Sequence, residues 1–174
     1  MKLPAKKIAF LSLLTGLGLV SFLLESAFPS PIAGVKLGIS NLFSLFALVF
    51  AGFRSALLVT LSRTLLGSLF AGNPSMLLYS LTAGIASVAL SRVLLVFRKK
   101  ISFVAVSVAS AVSHNAVQLF VYSLLSGVSL LGYLPVLALF GGFAGAFVGL
   151  SFVFALKLLA RAREFRAFKE GVAA

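Results

Sequence analysis

The chain has 174 residues, 61% of them apolar and only 10% charged, with a mean hydropathy of +1.17. Soluble chains run roughly 45 to 50% apolar and about 25% charged, so the solvent for this one is lipid. Its acids are Glu25, Glu164 and Glu170 against 15 Lys and Arg, with no Asp, no Cys and one His, which excludes paired-carboxylate catalysis, carboxylate metal cages, protein-built zinc sites and thiolate nucleophiles.

A spanning helix needs about 20 mainly apolar residues, and breaks fall where charge, Pro and Gly cluster. Span 1 covers 8–28 and stops at Pro29 and Pro31, followed by a loop to Lys36. Its Lys-rich start is that of a signal peptide, but the apolar core is too long, no clean cleavage site follows, and five more spans come after it. Span 2, 37–52, is the shortest. Arg54 sits in a tight connection to span 3, 55–71, which halts at Gly72-Asn73-Pro74. Span 4 covers 75–97 and is ended by Arg98, Lys99 and Lys100; span 5 occupies 101–125. A loop rich in Gly and Ser leads to span 6, 134–160, and a basic tail, 161–174, follows.

Continuous apolar runs of this length read as helices, because membrane strands alternate over about ten residues. The expectation is an all-α membrane protein: a single domain, 1–174, with six transmembrane helices in a bundle. Placing both termini in the cytoplasm puts Lys2, Lys6, Lys7, Arg54, the 98–100 run, Lys157 and the tail cations on that side, and only Lys36 opposite. That is a positive-inside bias, and it points to a multi-pass protein of the bacterial cytoplasmic membrane. The basic charge is then a topology signal in contact with the lipid bilayer, and no nucleic acid partner is expected.

Helices in lipid that touch closely carry small residues four apart. Span 6 has Gly141, Gly145 and Gly149 in such a row, span 4 has Ala83, Ser87 and Ser91, and span 1 has Ser12 and Gly16.

Charge at the bilayer centre costs on the order of 3 kcal/mol on insertion scales and asks for a partner, a cavity or a function. Arg63 lies halfway along span 3, with Thr60 and Gly67 on its face. Span 5 carries a polar stripe of Ser107, His114, Gln118 and Tyr122, with Asn115 adjacent. Counting rise per residue, His114 and Arg63 fall near the midplane, Gln118 and Asn41 roughly 5 Å outward, and Glu25 and Tyr79 about 10 Å outward. Lys36 and Asn73 come at the outer mouth, and the inner half is nearly all apolar. A pocket open to the outside wants polar groups so placed, and its cations suit an anionic ligand. A second reading also fits: a buried Glu25–Arg63 ion pair, with His114, Asn115 and Gln118 as interhelical hydrogen-bonding groups.

Three segments in order carry a family resemblance: Pro31-Ile-Ala-Gly34-Val-Lys36-Leu-Gly38-Ile-Ser-Asn41, then Arg63-Thr-Leu-Leu-Gly67-Ser68-Leu-Phe-Ala-Gly72-Asn73-Pro74, then Ser113-His114-Asn115-Ala116-Val117-Gln118. Over about residues 9–158 the chain resembles the Gx transporter family, labelled heptaprenyl diphosphate synthase component I, which is similar to the substrate-binding S components of energy-coupling factor transporters. The resemblance implies a six-helix S component that works with a transmembrane coupling subunit and two ATPases. It also implies docking of that subunit on the first helix, here at Ser12 and Gly16, where S components typically carry Ala.

The synthase label sits poorly with the residues. Prenyl diphosphate synthases hold magnesium and diphosphate with Asp-rich motifs, and this chain has no Asp; it also has no phosphate-cradling glycine loop for ATP. The expectation is a non-enzymatic ligand receptor with no cofactor of its own, binding a small anionic or isoprenoid- or quinone-related molecule. Lys36, Asn41, Arg63, Asn73, Tyr79, His114, Asn115 and Gln118 are the lining candidates, under a lid formed by the Pro29 to Lys36 loop. The alternatives are a non-catalytic membrane subunit of a prenyl diphosphate synthase and a stand-alone permease.

Overall fold

A computed structural model describes residues 5–27 and 38–161; Lys36, the lid loop before it and the basic tail after Arg161 lie outside the described residues. Within them run six helices: α1 Ala5–Ala27, α2 Asn41–Ala51, α3 Phe53–Phe70, α4 Ser75–Val96, α5 Phe103–Ser126 and α6 Leu134–Arg161, with a 3-10 turn at Leu131–Tyr133. The protein is an all-α membrane protein. Helices α1, α4, α5 and α6 are each long and apolar enough to cross a bilayer.

Span 2 is shorter than its apolar run suggests. Its helix has 11 residues, about 16 Å at 1.5 Å per residue, roughly half of a bilayer core. Gly38, at φ +79, turns the chain just before it, and Gly52, at φ +86, hands it to α3 through a single residue. Both are left-handed values that a side chain would strain. The result is a half-length helix set among its neighbours, packed on α1, α3, α4 and α6.

Close approaches fix the directions of the helices. Gly141, Gly145 and Gly149 face α5, where a Cβ on Gly145 would lie 2.6 Å from Val108 Cα and one on Gly149 would lie 2.7 Å from Val104 Cα. Rising numbers on α6 meet falling numbers on α5, so the pair is antiparallel. Gly18 meets Arg63 and Gly67 meets Phe22, so α1 and α3 run parallel. We call upper the end that carries the Ala71 to Pro74 connection.

The bundle buries what a soluble protein exposes. Ser, Thr, Asn, Gln, His, Arg and Glu side chains face inward, while Leu24, Leu69, Phe70, Phe143, Phe147 and Phe154 lie outside. Lipid solvates the leucines and phenylalanines, and interior hydrogen bonds take up polar groups such as Arg63, Asn115 and Ser91. The lower half still has an apolar core, in which Leu14, Leu48, Val59 and Val88 surround Phe152 and the Phe46 and Phe103 rings meet its edge.

Candidate functional site

Arg63 organises the upper half. It sits mid-span on α3 and is only 2% exposed. Its aliphatic stem passes α1 at Gly18, where a Cβ would come within 3.0 Å of Arg63 Cδ. All its described bonds go to the start of α2: Nη1 donates to Ser40 Oγ at 2.6 Å, Nη2 to Asn41 Oδ1 at 2.7 Å and Nε to Ser44 Oγ at 3.3 Å. The Ser44 and Thr60 hydroxyls share a further hydrogen bond of 2.7 Å.

Glu25, buried on α1, holds the same turn from the other side. Its carboxylate accepts from the backbone N–H of Gly38 at 3.2 Å and of Ser40 at 3.1 Å. A carboxylate at the amino end of a helix offsets the unpaired amides and the dipole there. Glu25 and Arg63 attract one another electrostatically, but the described hydrogen bonds of each reach α2. The buried pair is therefore bridged through Ser40 rather than closed directly.

His114 reaches this cluster from α5. Together with Phe22, Glu25, Ser40, Arg63 and Ser80 it borders a void of about 10 Å³, room for about one water molecule. The Ser80 hydroxyl is buried and has no hydrogen-bond partner among the described residues. Gln118, one turn above His114, is also buried. Tyr79 packs edge-on against Tyr122, with ring centroids 5.4 Å apart.

Other candidates are engaged elsewhere. Asn115 donates to the Leu137 carbonyl of α6 at 3.1 Å, as an interhelical hydrogen-bonding group. Asn73 is exposed, and its Oδ1 accepts from Met76 N–H at the start of α4. Lys36 lies outside the described residues. Ser40, Ser44 and Ser80 are not among the lining candidates expected from the sequence, although Ser40 and Ser44 stand four apart, the spacing of one helix face.

The lower half is also less apolar than expected. Ser87, Ser91, Ser107 and Ser110 are buried between α4 and α5, and the hydroxyls of Ser91 and Ser110 bond each other. Ser12 and Gly16 lie elsewhere again, on an open groove of about 490 Å³ between α1 and α3, beside Thr15, Leu58 and Ser62.

Chemically, the cluster offers hydrogen-bond donors around one fixed cation. Among the described residues no three His, Cys, Asp or Glu gather as they would around a metal. No curated protein and no solved structure matches the chain. The family described as heptaprenyl diphosphate synthase component I matches over residues 14–154.

Proposed function

The chain belongs to the heptaprenyl diphosphate synthase component I family, and from that premise we propose that it is the substrate-binding S component of an energy-coupling factor uptake transporter in a bacterial cytoplasmic membrane. It captures a small anionic or isoprenoid- or quinone-related ligand from the outside and catalyses no reaction itself. A transmembrane coupling subunit and two ATPases supply the energy.

One observation carries this reading. Arg63, a buried cation, spends its described hydrogen bonds on a short turn that Glu25 holds from the opposite side. An arginine kept only for stability would be an expensive choice, since apolar packing replaces buried ion pairs at little cost. An anion that takes the place of Ser40 and Asn41 on Arg63 frees the turn, and with Gly38 as its pivot the entrance opens. Asn41 and His114 complete the binding set, with Gln118 and Tyr79 above them.

The groove between α1 and α3 suits the coupling subunit. A Cβ on Gly16 would meet nothing within 4 Å, so a helix of the partner can approach the backbone closely there.

The family description favours a second reading, a non-catalytic membrane subunit of a prenyl diphosphate synthase. Affinity purification of the full chain from its native membrane, followed by native mass spectrometry, separates the two. Recovery of ATPases, a coupling subunit and a retained small anion supports the receptor. Recovery of a synthase without ATPases rejects it in favour of the second reading.

A further inference from the structure

Beneath the Arg63 network, between α2, α4, α5 and α6, lies a second cavity of about 20 Å³, enough for one water molecule. Asn41 and Ser44, which bond Arg63, border it from above, and Leu48 and Val88 form its apolar wall. Ser87 and Ser107 also line it, beside the mutually bonded Ser91 and Ser110; they are 4% and 5% exposed, and no described hydrogen bond reaches either hydroxyl. Buried hydroxyls are almost always bonded, and in a helix the usual acceptor is a carbonyl one turn back. Ser55 and Thr82 take that acceptor. Ser87 and Ser107 leave it and line the cavity instead.

We propose that this cavity is the inner compartment of the ligand site and takes an uncharged hydroxyl or carbonyl group of a compact anion whose charge sits at Arg63. The proposal deepens the receptor reading and rests on it. Without ligand, one water satisfies both serines, and the ligand group replaces it. An anion that draws Arg63 away from Asn41 and Ser44 also loosens the roof of the compartment. A prenyl chain is the wrong occupant, because it would leave two buried hydroxyls without partners, costing about tenfold in affinity each. Among the ligands that the receptor reading admits, the compartment favours a hydroxylated or carbonyl-bearing anion.

The chain has no cysteine, so a single introduced thiol reports its own site. In nanodiscs, Ser107→Cys should react with uncharged methyl methanethiosulfonate about tenfold faster than Val106→Cys, which faces dry packing. Ser87→Cys serves where the first variant fails to fold. Equal, slow rates overturn the compartment. Glycerol 3-phosphate and farnesyl phosphate, which share a head group, then compete with the reagent. Protection by the former alone supports the assignment, and protection by the latter overturns it. Glycerol 3-phosphate that raises the melting temperature through Arg63 yet leaves labelling unchanged overturns the inner compartment only. If neither phosphate affects the wild type or Arg63→Lys, the receptor reading falls, and this inference with it.

Discussion

Glu25 and Arg63 hold a single residue, Ser40, from two different helices: the carboxylate accepts from its backbone N–H at 3.1 Å and the guanidinium donates to its hydroxyl oxygen at 2.6 Å. The start of α2 is thereby pinned between opposite charges on α1 and α3.

Arg63→Met should destabilise the protein by about 3 to 5 kcal/mol, the usual cost of breaking a buried pair from one side. The double variant with Glu25→Gln should recover part of that loss, with a coupling of about 0.5 to 3 kcal/mol. Thermal unfolding in detergent measures both, and additive losses would show that the two charges act independently.

On the receptor reading, Arg63→Ala should weaken retention of an anionic ligand by about 1.5 to 3 kcal/mol, the worth of a hydrogen bond to a charged group. Native mass spectrometry of the folded variant reads this directly. Undiminished retention removes Arg63 as the countercharge.

Glycine positions on α6 should separate cleanly. At Gly145 an added Cβ would meet the Val108 backbone and the Ser107 carbonyl, neither of which can turn aside, whereas at Gly142 it meets nothing within 4 Å. Gly145→Ala is expected to cost about 1 to 3 kcal/mol and Gly142→Ala almost nothing, as melting temperatures will show.

Ser91 and Ser110 bond each other in the interior. Ser91→Ala strands the hydroxyl of Ser110 and should cost about 1 to 3 kcal/mol, while the Ser91→Ala/Ser110→Ala pair should cost less than the sum of its parts. A strictly additive double variant would mean that the bond contributes nothing.

Gly16→Leu should leave the melting temperature unchanged, because the position opens on the α1–α3 groove. It should also abolish co-purification of a coupling subunit. A variant that still brings one down would place the contact on another face.

Composition and hydropathy were enough to determine an all-α membrane protein, because burying backbone in lipid leaves few alternatives. They also made Arg63 conspicuous, since charge at that depth is costly wherever the helix points. The length of α2 was hidden: the run from Leu37 to Gly52 has Ser40, Asn41 and Ser44 as its polar residues, none of which bars a helix, and the Gly38 turn shows where the helix begins.

Helix rotation lay beyond the sequence. His114 and Asn115 are neighbours about 100° apart on α5, yet one borders the Arg63 cluster and the other bonds α6. The glycine row on α6 settles which way each points, by fixing where α5 can lie. Serine was equally mute in one dimension, since it is small enough to pack and polar enough to bond. Whether its hydroxyl meets another, as Ser91 meets Ser110, or a cavity, as at Ser87 and Ser107, depends on which helices come together, and that is a property of the assembled bundle alone.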